Sequence, residues 1–206
     1  MNDHSLSIGG VDVSRETMEK LRAYSDLIVK WTKTINLISP ASVPDIWDRH
    51  ITDSAQIYQY APSSWGHWID LGSGGGLPGL VISILDQSER PVTLIESDTR
   101  KCLFLNTVRR ELDLNVTVLN KRINAVDTPP ADVITARALA PLTDLMTFAS
   151  DLLLPTGTAL FSKGLTYKEE VDAALENWQF EYEAHASHTN PDACVLEISR
   201  IQRRES

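Results

Sequence analysis

Cysteine and long apolar runs are both scarce in this sequence, and each scarcity excludes a class of protein. The 206 residues include only Cys102 and Cys194, too few for a disulfide scaffold or a cysteine-rich metal cage. No apolar run approaches the roughly 18 residues that a membrane-spanning helix needs. The first residues also lack the basic and apolar regions of a secretory signal. We therefore expect a protein with no membrane segment, no metal site and a reduced, cytoplasmic setting.

Positive charge is also in short supply, because 19 lysines and arginines face 28 aspartates and glutamates. The formal net charge of -9 argues against a protein that coats nucleic acid with its whole surface. In the stretch 100–137, however, bases outnumber acids. The bases are Arg100, Lys101, Arg109, Arg110, Lys121, Arg122 and Arg137, and the acids are Glu111, Asp113, Asp127 and Asp132. This stretch is either a local basic surface or a solvated helix face.

The N-terminal third has the apolar spacing of helices. From Ser14, a suitable N-cap, apolar residues recur at steps of three and four as far as Ile38, and Pro40 ends the pattern. A second helix is predicted over residues 44–60, because a proline is well placed in a first turn. The two helices predict an N-terminal helical cap over residues 1–65.

After residue 65, short apolar runs alternate with helical stretches. Parallel strands are predicted at 68–71, 92–96, 116–119, 133–136 and 158–162, with helices at 78–86, 99–112, 141–153 and 167–175. Two further strands, 178–183 and 194–201, suit an antiparallel edge pair. The alternation predicts an α/β, Rossmann-like domain over 66–206, with about seven mostly parallel strands and helices on both faces. In such sheets, ligands bind where the strands end, near the topological switch point.

A glycine-rich loop follows the first of these strands. Half of the ten glycines lie between Gly72 and Gly79. Glycines allow positive φ angles and a close approach of a ligand to the backbone, and amides at a helix N-terminus favour an anionic group. The spacing Gly74-x-Gly76-x-x-Gly79 also matches the dinucleotide fingerprint, which by itself is a weak signal.

Two carboxylates favour S-adenosylmethionine over a dinucleotide. Asp70 ends the strand before the glycines, where its carboxylate can face the amino-acid part of that cofactor directly or through water. A dinucleotide has no need of an anion beside its own pyrophosphate. Glu96 ends the next strand, where it can accept hydrogen bonds from both ribose hydroxyls. Gly74 joins these residues as a backbone contact; dinucleotide binding and a purely structural turn stay as alternatives.

Several motifs together resemble one known family. They are Trp31-x-x-x-Ile35-Asn36-Leu37, Arg49-His50-x-x-Asp53-Ser54, the loop Asp70–Gly79, Glu96 to Leu105 with Arg100-Lys101, and Ala136-Arg137-Ala138. Over nearly its whole length the chain resembles the bacterial 16S ribosomal RNA guanine-N7 methyltransferases, also called glucose-inhibited division protein B. The Arg-His-x-x-Asp-Ser and Ala-Arg-Ala motifs are the specific part of this resemblance.

The resemblance implies a class I methyltransferase that uses S-adenosylmethionine to methylate N7 of guanine 527 in 16S RNA, alone or within the 30S subunit. It implies cofactor contacts from Gly72, Leu77, Ile123, Asn124 and Arg137. Two positions depart from the family pattern: Thr32 stands where asparagine is usual, and Asn124-Ala125 where an acidic residue is common.

The sequence lacks the motifs that other base methylations need, and this absence is consistent with methylation of guanine N7. Strand 133–136 is followed by no Asn/Asp-Pro-Pro-aromatic motif of the kind used on exocyclic amines, and neither cysteine is placed as a nucleophile. Guanine N7 has a lone pair and no proton to lose, so direct in-line transfer needs neither a base nor a covalent intermediate, and positioning supplies much of the rate. We accordingly assign no catalytic base or nucleophile.

Five residues are candidates for RNA contacts, each with a plainer interpretation: Arg49, His50, Arg100, Lys101 and Lys163. Arg49 and Asp53, four residues apart, can form a surface ion pair, and His50 can be an ordinary half-buried histidine. With the resemblance, Arg49, His50 and Asp53 are expected to bridge the cap to the sheet or to line the RNA entrance. Lys163 can meet a phosphate or stay in solvent.

Two other functions stay open at this point. The same fold can methylate a small molecule or a protein, or the chain can be an RNA-binding module with a vestigial pocket. The basic stretch opposes the first, and the intact Asp70, glycine loop and Glu96 oppose the second. We expect a monomer, because no coiled-coil seam or apolar repeat is present.

Overall fold

The structure is a computed structural model that describes residues 6–204. It begins with a small antiparallel hairpin, β1 (Leu6–Ile8) and β2 (Val11–Val13), which the sequence analysis did not predict. Gly9 and Gly10 form its turn, and both have positive φ angles (57° and 83°). A Gly-Gly pair between short alternating segments is a hairpin signal, and here it was missed.

The first predicted helix begins as expected and ends early. In α1 (Arg15–Thr32), the Ser14 side chain accepts a hydrogen bond from the Thr17 amide at 3.0 Å, so the predicted N-cap is confirmed. The predicted extension to Ile38 is wrong. Ile35 and Ile38 are buried, but they reach the core from an irregular segment before a 3-10 turn. Thr32 and Thr34, both poor helix formers, lie where the helix stops.

The second predicted helix is present but irregular. Residues 47–60 form a π-helical stretch (Trp47–Thr52), one α turn, α2 (Asp53–Ala55), and a 3-10 stretch (Gln56–Tyr60). A regular helix over 44–60 was therefore a wrong prediction. Wide π turns occur often at functional sites because they re-aim side chains. This one carries Arg49 and His50 of the Arg-His-x-x-Asp motif, and Asp53 follows it directly as the first residue of α2.

The main sheet has seven strands in the order β5-β4-β3-β6-β7-β9-β8. Their bounds are β3 (Trp68–Leu71), β4 (Val92–Glu96), β5 (Val116–Asn120), β6 (Ala131–Arg137), β7 (Leu153–Lys163), β8 (Trp178–Ala186) and β9 (Cys194–Arg203). Strands β3 to β7 pair in parallel, and β9 and β8 are antiparallel, as predicted. The chain leaves β3 towards β4 and returns on its other side as β6. The switch point is therefore between β3 and β6.

Helices cover both faces of this sheet, which confirms the predicted layers. They are α3 (Gly79–Leu85), α4 (Thr99–Glu111), α5 (Leu142–Leu152) and α6 (Tyr167–Leu175). Helices α3 and α4 share one apolar cluster with the cap, including Leu21, Ile51 and Phe104. Helices α5 and α6 share the other cluster, and successive strand residues such as Trp68 and Ile69 enter opposite clusters.

The last hairpin holds the cap through polar contacts. In the turn between β8 and β9, the Thr189 hydroxyl donates to an Asp53 carboxylate oxygen at 2.8 Å. The His188 amide donates to the Gln56 side-chain oxygen at 2.8 Å. The cap therefore packs against α3 and also contacts the C-terminal hairpin. The division of the chain at residue 65 stays a prediction. Within residues 6–204, no helix is both long and apolar enough to span a membrane.

Candidate active site

Asp70 lies under the glycine loop at the end of β3. Its side chain is fully buried. One carboxylate oxygen accepts from the Thr135 hydroxyl at 2.8 Å, and the other accepts from the Gly79 amide at 3.3 Å. The Trp68 indole donates to Thr135 at 3.0 Å, so β3 and β6 are joined beneath the loop. Burial raises the pKa of Asp70 to about 6, although these hydrogen bonds oppose the rise. Asp70 thus holds the loop from below.

The loop needs glycine where it turns above Asp70. Gly72 has a φ of 61°, and Gly74 has a φ of 55°, both in the left-handed region that favours glycine. A Cβ on Gly72 would lie 2.5 Å from a methyl group of Leu139, in the loop after β6. Leu139 can therefore pack against the backbone of Gly72 only while residue 72 has no side chain.

Glu96 closes the other side of the loop. One carboxylate oxygen accepts from the Gly74 amide at 2.9 Å, and the other accepts from the Asp98 amide at 2.7 Å. The side chain is buried, and it lines a cavity of about 530 Å³ at the carboxyl edge of the sheet. Each oxygen keeps a second lone pair for a hydroxyl donor. We call this cavity the cofactor cleft.

The cofactor cleft brings together four of the eight predicted cofactor residues, whereas Asp70, Gly74, Leu77 and Arg137 do not line it. Its walls include Gly72, Glu96, Lys101, Ile123 and Asn124. Ile123 and Asn124 lie in a 3-10 turn after β5, with Asn124 exposed. A volume of this size suits a nucleoside-sized ligand. Leu77, a residue of the loop itself, is buried and does not line this cleft.

Arg137 joins the end of β6 to the cap. Its guanidinium contacts an Asp53 carboxylate oxygen and the Arg49 carbonyl oxygen, both at 3.3 Å. It also contacts the His50 Nδ1 atom at 3.1 Å. The Arg49–Asp53 surface ion pair considered from the sequence is replaced by this pairing of Asp53 with Arg137. The expected bridge between cap and sheet is therefore present.

His50 is held in one tautomer at this junction. A guanidinium only donates, so Nδ1 accepts from Arg137, and Nε2 carries the proton towards the Ser42 hydroxyl at 2.8 Å. Burial lowers the pKa of His50 to about 4, and the Arg137 charge adds to the effect. The side chain is neutral near pH 7.

Tyr24 is a site residue that sequence reasoning missed. Its hydroxyl donates to the Gly75 carbonyl oxygen at 2.6 Å from the buried face of α1. The apolar spacing identified Tyr24 only as a core residue. A buried tyrosine hydroxyl needs a partner, and that requirement was the available signal. Burial also raises its pKa well above the ordinary value.

The basic candidates for RNA contact separate into two groups. Arg100 is exposed beside Asp98, and Lys101 reaches the cofactor cleft. Lys163 is different, because its side chain is 7% exposed and its amine donates to Ala140 and Glu170. It is neither a solvated loop lysine nor a freely presented phosphate ligand. Its position on an apolar strand next to an exposed loop concealed this burial.

Comparisons with known proteins agree with this geometry. The family model described as rRNA small subunit methyltransferase G matches residues 17–194. A protein of Ruegeria sp. (strain TM1040), named ribosomal RNA small subunit methyltransferase G, is 46% identical over 196 residues, covering 94% of this chain and 95% of its own. A protein of the same name from Cereibacter sphaeroides is 48% identical and covers 93% of each chain.

Solved structures extend the comparison to the fold. The O-methyltransferase TomG from Streptomyces achromogenes, in complex with S-adenosylmethionine, has a TM-score of 0.60 at 13% identity. The match covers 88% of this chain and 89% of that one. The predicted Rossmann-like methyltransferase fold is confirmed. With the family model matching most of its length, the chain belongs to the rRNA small subunit methyltransferase G family.

Proposed function

We propose that the protein transfers a methyl group from S-adenosylmethionine to N7 of guanine 527 in 16S ribosomal RNA. Its partner is the naked RNA or a 30S particle. The observation that carries the proposal is the cofactor cleft, in which Glu96 contacts the glycine loop. The chain also belongs to a family of small-subunit RNA methyltransferases. The enzyme acts as a monomer in the cytoplasm, where ribosomes assemble.

The cleft suits S-adenosylmethionine in donor set and size. Glu96 has free lone pairs for the two ribose hydroxyls, and Gly72 and Gly74 present backbone beside it. Ile123 and Asn124 flank the end of the cleft where an adenine would lie. Bound there, S-adenosylmethionine supplies a methyl group activated by its sulfonium charge. Asp70 supports the loop from beneath, and Leu77 anchors it with a buried side chain.

The chain's residues position the reactants without taking a proton. Guanine N7 attacks with a lone pair and has no proton to lose, so no side chain has to act as a base. Burial raises the pKa of the Cys102 thiol, and raises that of Cys194 to about 11, so neither is a ready thiolate nucleophile. Orientation of N7 towards the cleft is the protein's contribution.

The RNA contacts the cap and the basic stretch. Arg49 and Arg100 are exposed, and Lys101 lines the cleft itself. Their charges suit phosphate contacts, which fix orientation on the RNA without selecting a base. Arg137 and His50 act one layer deeper, holding the cap against the sheet.

The test supplies labelled S-adenosylmethionine with 30S particles and with naked 16S RNA from cells lacking the enzyme, and then maps the methylated base. We expect one labelled guanine, with the label on N7 at position 527. RNA already methylated at that position is the matched control and should accept no label. Label in another base, in protein or in small molecules would replace this proposal with another substrate. No transfer to any RNA would remove it.

A further inference from the structure

A second cavity adjoins the cofactor cleft. It has a volume of about 640 Å³ and lies where β6 and β7 end, between the loop 137–141 and the first half of α6. We call it the α6 cavity. Ala138, Leu139 and Ala140 line both the α6 cavity and the cofactor cleft, so the two spaces meet at this loop. A third cavity, beneath the cap at Arg49 and His50, shares none of the residues that line the cleft.

The α6 cavity has apolar walls and a polar, charged end, at which Lys163 and Glu170 are accompanied by Ser162, Thr166 and Glu169. Ala138, Leu139, Pro141 and Leu145 form part of its lining. Flat aromatic rings pack well against such side chains, which is how enzymes hold an extruded base. Leu139 is about one-third exposed and rests against Gly72 at the boundary with the cleft. A ring in the α6 cavity would therefore have one edge close to the cofactor cleft.

The charged end is an ion pair with unused capacity. The Lys163 amine donates to a Glu170 carboxylate oxygen at 2.7 Å and to the Ala140 carbonyl at 2.9 Å. The same Glu170 oxygen accepts from the Leu142 amide at 2.8 Å. Among residues 6–204, the second carboxylate oxygen, Oε1, accepts no hydrogen bond. The third ammonium proton of Lys163 also has no partner there.

This arrangement matches one face of guanine. Guanine presents the O6 acceptor next to the N1–H and N2–H donors, whereas adenine presents a donor next to an acceptor. Lys163 and Glu170 present a donor beside an acceptor in the complementary order. We propose that the α6 cavity receives the target guanine, with Glu170 Oε1 accepting from N1–H and N2–H and Lys163 donating to O6. This inference rests on the proposed function, since it names how that reaction selects its base.

The position of Glu170 also suits the positive charge that guanine acquires on methylation. Methylation at N7 leaves guanine positive, and the Glu170 carboxylate then faces a cation. An ion pair with one buried partner, as here, is often no more favourable for stability than an apolar pair in its place. The Lys163–Glu170 pair is placed on a cavity wall, with an open lone pair and an open proton.

The first test varies the RNA and leaves the enzyme unchanged. Ligated 16S RNA carries guanosine, inosine or 2-aminopurine at the methylated position, and single-turnover transfer is measured. Inosine lacks N2–H, and 2-aminopurine lacks O6 and N1–H. We expect transfer to fall about 10-fold with inosine and about 100-fold with 2-aminopurine. Equal rates on guanosine and inosine would overturn the inference while leaving the proposed function intact.

The second test asks whether Glu170 is the group that senses N2–H. E170Q keeps an acceptor for the Leu142 amide and removes the charge. We expect transfer to guanosine to fall about 10-fold, with unchanged binding of S-adenosylhomocysteine and a smaller inosine penalty, below about twofold. D172N, an exposed carboxylate on α6 that does not line the cavity, is the matched control and should behave as wild type.

The outcomes separate the two proposals. No transfer by the wild-type enzyme to guanosine RNA would reject the proposed function itself. Normal transfer with a full inosine penalty in E170Q would reject the role of Glu170. If E170Q loses its thermal transition or its cofactor binding, the inosine and 2-aminopurine results with the wild-type enzyme decide alone.

Discussion

At the scale of single residues, Glu96 performs two tasks with one carboxylate. It fixes the loop through Gly74 and the start of α4 through Asp98, and it keeps lone pairs open to the cleft. Asp70 only fixes the loop, because its carboxylate is buried beneath it and does not face the cleft. Two strand-end acids that look alike in sequence therefore have different surroundings. The difference comes from Thr135, on a strand more than sixty residues later.

Replacing Glu96 by alanine should weaken cofactor binding. The variant loses the hydroxyl acceptors and frees the Gly74 amide, and hydrogen bonds to charged groups contribute about 1.5–3 kcal/mol. We expect the Kd for S-adenosylmethionine to rise about 10- to 100-fold in calorimetric titration. E89A, an exposed acid just before β4, is the control. Unchanged affinity in E96A would refute the ribose role.

His50 should make stability depend on pH in the acid range. Its pKa is about 4 in the folded protein, against an ordinary value near 6.5, so the unfolded chain binds more protons between these values. Stability contributed by neutral His50 is therefore complete above about pH 6.5 and is lost as pH falls towards 4. Asp70 works in the opposite direction, because its raised pKa makes the folded state bind more protons between about pH 4 and 6.

A comparison with H50Q isolates the histidine, since Asp70 is common to both proteins. Glutamine can accept from Arg137 and donate to Ser42 without titrating. From pH 7 to pH 4.5, we expect wild type to lose about 1–2 kcal/mol of unfolding free energy relative to H50Q, measured by urea denaturation. Parallel pH profiles for the two proteins would contradict the depressed pKa.

At the scale of elements, α1 is both a packing helix and a brace for the glycine loop. The Tyr24–Gly75 hydrogen bond joins the cap to the loop without touching the cleft. Y24F leaves the buried Gly75 carbonyl without its donor. We expect a loss of about 1–2 kcal/mol in unfolding free energy and cofactor binding weakened about two- to fivefold.

The control for this change is Y182F, which removes an exposed hydroxyl from β8. It should leave both measurements as in wild type. If Y24F loses stability but binds the cofactor normally, the hydroxyl serves the core alone and does not brace the loop.

The elements also show where sequence reasoning succeeds and fails. Strands β3 and β4 were predicted to the residue, because their apolar runs are short and bounded by turn residues. The helix segment 47–60 was predicted in place but not in form, since π and 3-10 turns depend on tertiary contacts such as Asp53 with Arg137. Lys163 was misjudged because its partner, Glu170, lies on the next helix.

The candidate site was predictable in the same uneven way. Gly72, Glu96 and Asn124 all line the cleft, because each lies at or shortly after the end of a strand on the same sheet edge. The roles of Tyr24 and Leu139 were not visible, because nothing local distinguishes them from core and loop residues. Contacts across the cap boundary belong to the assembled fold, and apolar periodicity carries no information about them.

At the scale of the whole molecule, the cap and the sheet share one apolar cluster. Removing residues 1–65 would expose the faces of α3 and α4 to water, including Phe104 and Leu80, which are fully buried. The division at residue 65 stays a prediction, and the residues on its two sides share one core. Removal of the cap should yield an insoluble or partly folded protein.

Unfolding should accordingly be a single transition. We expect urea curves followed by tryptophan fluorescence and by far-ultraviolet circular dichroism to coincide, because Trp31 packs against Phe104 across the boundary between cap and sheet. An early fluorescence transition, with helix signal retained, would show that the cap opens independently. A soluble and folded fragment of residues 66–206 would likewise show that the sheet and its helices fold without the cap.

The hydrogen bonds between the cap and the last hairpin have a consequence for folding during translation. Asp53 and Thr189 are 136 positions apart, and Gln56 and His188 are 132 apart. Because translation proceeds from the N-terminus, the residues around Asp53 leave the ribosome long before their partners exist. The polar groups of the nascent cap therefore stay in water until residues 188 and 189 have emerged. The contacts that hold the cap to the last hairpin are thus among the late steps of folding during synthesis, whereas the local hydrogen bonds of the cap can form early.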